Sequence, residues 1–245
     1  PDLPGCVARA CSARNGYSRL SFRPHAGEAG ELNHLHAAFL TARGINHGIN
    51  LRKTPSLQYL YYLGQVGLAL SPLSNNALFL QLSKNPFYEF FTVGLNVSLS
   101  TDDPLMFHHT KEPLMEEYCV AKQVWRLSSV DLAEIARNSV LQSDFESDVK
   151  AAWLGAGFHR PGVAGNDIAK TNVPDLRMEY RHLVMTEEME VLHGRVPHDT
   201  PTTTTVDEAE AFKETTTQQL AEAHLAANQP TSPFLDSLAG RSHRF

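Results

Sequence analysis

Long apolar runs, a second cysteine pair and a surplus of basic residues are all missing from this chain. Each absence closes off a class of protein. No apolar run approaches the roughly 20 residues of a membrane span, so no membrane partner is expected. The 245 residues include only three cysteines, Cys6, Cys11 and Cys119, and nothing completes a zinc-ribbon pattern with Cys6 and Cys11. Free thiols in a reducing compartment are expected, which points to the cytosol. Lys and Arg total 21 against 27 Asp and Glu, a net charge of -6. A nucleic-acid footprint wants a basic stripe, so no nucleic-acid partner is expected; a few placed donors can still hold a phosphorylated small molecule. The opening Pro1-Asp2-Leu3-Pro4-Gly5 has neither an initiator methionine nor the apolar core of a signal peptide, so a fragment or a processed chain is expected.

What remains is a soluble-type composition, 42% hydrophobic, enough for one ordinary core. From Leu20 onward, short apolar runs alternate with segments of helical period, the mark of βα units. The runs end at Pro24-His25, Gly44 to Asn46, Val66 to Leu70 and Leu95 to Leu99, at roughly the spacing of one βα unit, about 30 residues. Between them, Ala29 to Thr41 predicts a helix with Leu32, Leu35, Phe39 and Leu40 on one face. Thr54-Pro55 and Asn85-Pro86 read as a cap followed by proline at a helix start. Glu112 to Trp125 and Ser129 to Val140 read as helices, and Ser143 with Glu146 as a capping box for another. Residues 1–18 are turn-rich, and 191–245 form a polar tail with four consecutive threonines, so both ends are expected to be mostly disordered. A complete (β/α)8 barrel needs roughly 250 residues. The organised part, 19–190, is therefore expected to be α/β and to supply part of a TIM-type barrel rather than all of one.

Chemistry gathers at the ends of the apolar runs, where α/β barrels build active sites. His25 and Glu28 follow the first, His47 the second, and Asp102-Asp103 the fourth. Such side chains can hold a metal and move protons around water. Each also has an ordinary reading: Glu28 can complement a helix dipole, His47 can be a loop histidine, and Asp102 or Asp103 can cap a helix. Two adjacent carboxylates repel unless a cation or hydrogen bonds compensate. Neighbouring strand residues face opposite ways, so one carboxylate can serve a metal and the other a substrate. Independent decoration of loops would rarely mark three of four strand ends.

The strings that carry a family resemblance are specific. They are Phe22-Arg23-Pro24-His25-Ala26-Gly27-Glu28-Ala29-Gly30, Leu57-Gln58-Tyr59-Leu60, Ser71-Pro72-Leu73-Ser74-Asn75-Asn76 and Ser98 to Pro104. Thr110-Lys111-Glu112-Pro113-Leu114-Met115-Glu116-Glu117-Tyr118 and Gly165-Asn166-Asp167-Ile168 complete the set. Over residues 21–185 the chain resembles the C-terminal half of the catalytic domain of the AMP deaminase family, the second half of its (β/α)8 barrel. The resemblance implies hydrolytic deamination of AMP to IMP with Zn2+ as cofactor, and a homo-oligomer in the full-length protein. It implies His25 and Asp102 as zinc ligands, Glu28 as the proton donor to purine N1, and His47 as general base or electrostatic partner. Asp103 would hydrogen-bond the purine, with Pro104, Leu105 and Met106 lining the substrate. Two departures stand out. Met106 replaces the family's usual Gln, and the His-x-His pair of the first barrel strand is missing; His34-Leu35-His36 has the pattern but falls on a predicted helix. An adenosine-type deaminase, or an inactive half-barrel serving as an interaction partner, are the alternative readings.

Overall fold

The computed structural model describes residues 21–194. The segment 1–18 and nearly all of the tail expected from 191 onward lie outside the described residues. Four parallel strands, β1 (His25–Ala26), β2 (Gly44–His47), β3 (Gly67–Leu70) and β4 (Val97–Leu99), form one sheet in the order 1-2-3-4. Ala26 lies opposite His47, Ile45 opposite Leu68, and Leu70 opposite Leu99. A doubly wound sheet reverses its order at a switch point. Unbroken sequential order with helical crossovers is instead an arc of a (β/α)8 barrel, so the expected partial barrel is what forms. The first apolar run pairs further than its short regular strand suggests: Arg43 N–H donates to Phe22 O at 3.1 Å and Asn46 N–H to Pro24 O at 2.9 Å.

The crossovers are α1 (Asn33–Thr41), α2 (Pro55–Leu63), and α3 (Pro72–Leu78) followed by α4 (Phe87–Thr92). Pro55 and Pro72 each open a helix, where the missing N–H costs nothing. Thr54 stands where a cap was expected, but its hydroxyl turns back to Leu51 O at 3.4 Å. At the second expected start Pro86, not Asn85, is the residue that caps α4, and Asn85 Oδ1 accepts from Phe87 N–H across it at 3.0 Å. The outer face of the sheet, Ile45, Leu68, Leu70, Val97 and Leu99, packs on Leu35, Leu57, Tyr61, Phe87 and Phe90 in one core. α1 starts later than expected because Gly27 and Gly30, both at positive φ, hold a loop before it. Its buried positions are then Leu35 and Ala38, while Leu40 is exposed.

Beyond β4 come α5 (Pro104–Phe107), α6 (Pro113–Trp125), α7 (Ser129–Gln142), α8 (Ser147–Leu154), α9 (Ile168–Thr171) and α10 (Asp175–Leu192). The capping box belongs to α7, through Ser128 and Asp131. Ser143 instead closes α7, its hydroxyl donating to Val140 O at 2.6 Å, and α8 begins after Glu146 with no side-chain cap. A serine in the last turn of a helix finds a carbonyl closer than any N–H of the next helix. α7 ends over the start of the sheet: Gln142 accepts from Ser98 Oγ at 2.8 Å and donates to Asn96 O at 2.8 Å. Its side chain fills the space above Gly67, where a Cβ would sit 2.7 Å from Gln142 Cγ.

α10 buries none of its residues fully, so polar contacts must anchor it. Arg177 reaches Glu134 at 2.7 Å and Asp131 at 2.8 Å, and Arg181 reaches Glu134 at 2.9 Å and Phe91 O at 3.0 Å. The Glu134 side chain is only 8% exposed, against 28% and 20% for the two arginines. Truncating Glu134 takes the only carboxylate from Arg181 among the described residues and leaves Arg177 with Asp131. Glu134→Ala should therefore cost about 2 kcal/mol, with α10 losing hydrogen-exchange protection first. A loss of less than ~0.5 kcal/mol in denaturant titration would mean that solvent satisfies the arginines.

Candidate active site

Parallel register delivers the ends of β1 and β2 side by side, and the turns that follow bend their side chains together. After His25, Gly27 (φ +69°) reverses the chain and returns Glu28 towards the sheet. β2 closes with His47 (φ +70°) and Gly48 (φ +69°), tied down by Gly48 N–H to Ala26 O at 2.9 Å and Asn50 N–H to Gly27 O at 2.7 Å. The left-handed region is open to glycine and uncommon for other residues. Five described non-glycine residues occupy it: His47, Gln65, Asp102, Arg126 and Asn172. Arg126 and Asn172 close helices, an ordinary use. His47 and Asp102 close none, and strain of this kind, about 1–3 kcal/mol each, gathers at functional sites.

His25, Glu28 and His47 place one ligand-type atom each within 4.8 Å of one another. The two imidazoles meet edge to face with centroids 4.9 Å apart. His47 Nε2 lies 3.6 Å from Glu28 Oε2 and 4.0 Å from Asp102 Oδ2. This nitrogen is buried without a hydrogen-bond partner among the described residues, a condition that ordinarily costs about 1–3 kcal/mol. Burial pushes the His47 imidazole below its usual pKa; the nearby Glu28 carboxylate opposes the shift, His25 adds to it, and Asp102 opposes it.

The third strand end supplies groups to which sequence reasoning gave no role. Asn75, fully buried on α3, directs Nδ2 at Glu28 Oε1 (3.3 Å) and at His47 Nδ1 (3.4 Å). Its Oδ1 accepts from Asn85 Nδ2 at 3.5 Å. Ser74 Oγ donates to Asp102 Oδ2 at 2.7 Å. The signal was present in Ser71 to Asn76, polar residues directly after an apolar run, but amides and hydroxyls announce no chemistry by type.

The structure gathers His25, Glu28, His47 and Asp102 on one rim. The three-residue cluster joins His25 to Glu28 and His47, whereas Asp102, expected to share a metal with His25, stands beside His47. Asp102 and Asp103 also lie beyond β4, in a turn, so the expected strand alternation does not separate them; the left-handed backbone at Asp102 does. Asp103 precedes α5 without a side-chain capping bond, and it is exposed together with Pro104, Leu105 and Met106. His34 and His36 are exposed on α1 and join no site. A cavity of about 390 Å³ lies elsewhere, bounded by Tyr62, Arg137, Phe158 and Met185 among others, and takes in none of these residues. Clustering, strain and the unpartnered nitrogen favour the rim over this cavity.

Behind the rim, the fully buried side chains of His108 and Glu117 meet at 3.0 Å, and Leu73 N–H points at the other Glu117 oxygen at 3.4 Å. Burial pushes the Glu117 carboxyl up to about 8; the Leu73 N–H opposes this, and the charges of Glu116 and Asp102 reinforce it. At neutral pH the protonated carboxyl can donate to His108 Nε2 while its carbonyl oxygen accepts from Leu73. A carboxyl whose pKa is raised on folding stabilises fully below its unfolded value and loses that contribution as pH rises through the folded one. The stability of the chain should thus fall relative to Glu117→Gln between roughly pH 4.5 and 8. Parallel urea titrations of both proteins would detect it, and a difference independent of pH would contradict the assignment.

The sequence pattern of the AMP deaminase family matches residues 7–198. Over 177 residues the chain is 63% identical to an AMP deaminase of Dictyostelium discoideum, covering 72% of this chain and 22% of that protein. It is 58% identical over 177 residues to AMP deaminase 3 of Homo sapiens, covering 72% and 23%. It thus spans about a fifth of the length of these curated relatives. Among solved structures, an adenine deaminase from Arthrobacter aurescens superposes with a TM-score of 0.51 at 28% identity, over 59% of this chain and 43% of that one. With most of its length matched by the family pattern, this chain belongs to the AMP deaminase family.

Proposed function

We propose that the chain carries the second half of a zinc-dependent AMP deaminase barrel, converting AMP and water to IMP and ammonia in cytosolic purine interconversion. The observation that carries this reading is the convergence of His25, Glu28, His47 and Asp102 around the unpartnered His47 Nε2. The donor set suits zinc, which takes imidazole nitrogen and carboxylate oxygen. His25 and Asp102 would hold it, with Ser74 orienting the Asp102 carboxylate as an outer partner should. Zinc, when bound, supplies the Lewis acidity that makes hydroxide available near neutral pH.

Glu28, held by the Asn75 amide, would deliver its proton to N1 of the purine. Protonation at N1 draws electrons from C6, water oxygen adds there, and the C6–N bond breaks as ammonia leaves. His47 faces the same space and would act on the water through its buried nitrogen. Asp103 would hydrogen-bond the base, and Pro104, Leu105 and Met106 would line it; with Met106 in place of Gln, one polar contact is lost.

Catalytic zinc usually has three protein ligands, and this chain offers two, His25 and Asp102. We therefore read it as a truncated form that lacks the first-strand His-x-His. The chain alone should bind zinc weakly and turn over AMP below about 1 s⁻¹, the lower edge of ordinary enzymes. The absorbance change from adenine to hypoxanthine, followed in purified chain with zinc supplied, measures this. Faster zinc-dependent turnover, abolished by Glu28→Ala, would show the site to be complete without further ligands. Adenosine preferred over AMP would shift the reading to an adenosine-type deaminase. Absence of turnover with co-purification of an intact deaminase subunit would shift it to an interaction partner.

A further inference from the structure

Hydrogen-bond logic running from the start of α4 to the rim determines where the proton of His47 sits. An amide nitrogen and oxygen are distinguished by the partners each must have. Phe87 N–H can only donate, and it meets Asn85 Oδ1 at 3.0 Å. Asn85 must therefore turn Nδ2 towards Asn75, whose Oδ1 accepts at 3.5 Å. Asn75 is left with its two N–H bonds facing Glu28 Oε1 at 3.3 Å and His47 Nδ1 at 3.4 Å. The Glu28 contact gives the same orientation while Glu28 is ionised, because a carboxylate only accepts. His47 Nδ1 receives a proton from Asn75 and so carries none of its own.

We infer that Asn75, seated by Asn85, is a positioning residue that locks His47 in the tautomer with its proton on Nε2. The locked Nε2–H is the buried nitrogen without a partner, with Glu28 Oε2 and Asp102 Oδ2 as nearby carboxylate oxygens at 3.6 and 4.0 Å. Two consequences follow. A protonated nitrogen has no lone pair to give, so His47 is not a metal ligand even though it lies within 4.8 Å of the donor atoms of His25 and Glu28. Its N–H is instead presented to an oxygen, that of the reacting water or the group derived from it. This second consequence rests on the deaminase reading; the tautomer does not, since it exists without zinc or AMP.

Long-range proton–nitrogen spectra of the chain labelled with nitrogen-15 histidine read the tautomer directly. The measurement is made at about pH 8, above the ordinary imidazole range, and His47 is assigned by the signals lost in His47→Gln. In the unaltered chain Nδ1 should resonate as an unprotonated nitrogen and Nε2 as a protonated one. Asn75→Asp, whose carboxylate can only accept, should exchange the two signals. Asn85→Asp still accepts from Phe87 N–H but cannot donate to Asn75, and should bring the signals towards averaged positions. A protonated Nδ1 in the unaltered chain overturns the inference, as do unchanged signals in folded Asn75→Asp. If Asn75→Asp does not fold, the unaltered chain and Asn85→Asp decide: unchanged His47 signals in Asn85→Asp then count against the relay. Failure here leaves AMP turnover standing, and loss of AMP turnover leaves the tautomer standing.

Discussion

Because β1 to β4 pair in parallel and in sequence order, each strand leaves the sheet on the same rim. That constraint makes the chemistry possible. His25 and His47, 22 residues apart in the chain, become neighbours only because Ala26 pairs with His47. The core on the opposite side of the backbone, from Leu35 to Phe90, fixes the register; a slip of one residue would turn Ile45 and Leu68 out of it. The same register aligns β3 with β4, so Ser74 on the helix after β3 can reach Asp102 beyond β4.

On this frame the rim concentrates unfavourable terms. His47 is in the left-handed region, nearly fully buried, and has an unpartnered nitrogen. Asp102 shares the backbone conformation, and the Glu117 carboxyl behind it is raised to about 8 by burial. None of this serves stability, and cores that violate local rules at one place do so where function is. The hydrogen bonds of Asn75, Asn85 and Ser74 hold these strained groups in a single arrangement.

Much of this was legible in the sequence, for identifiable reasons. Apolar runs that end in His, Glu or Asp marked the strand ends, because burial on a parallel sheet leaves little choice of residue. Pro55 marked the start of α2 and Asn85-Pro86 that of α4 through a rule of local geometry, whereas Pro72, which opens α3, was not read as a helix start. Failures arose where tertiary partners decide. Ser143 and Glu146 satisfied a capping pattern, yet the end of α7 claimed the serine. Leu40 fitted a helical face that the late start of α1 exposed to solvent. Asn75 and the His108–Glu117 pair were given no role, since an amide or a carboxylate acquires its role only from groups 9 to 47 residues away.

The proposed division of labour on the rim has His25 and Asp102 donate to zinc and His47 donate a proton. Equilibrium dialysis of the chain against zinc, with bound metal measured by elemental analysis, tests it most directly. His25→Gln and Asp102→Asn should each weaken zinc binding by roughly tenfold or more, while His47→Gln should leave it within about twofold. If His47→Gln loses zinc as His25→Gln does while Asp102→Asn retains it, the geometric triad of His25, Glu28 and His47 is the metal site and the division of labour is wrong.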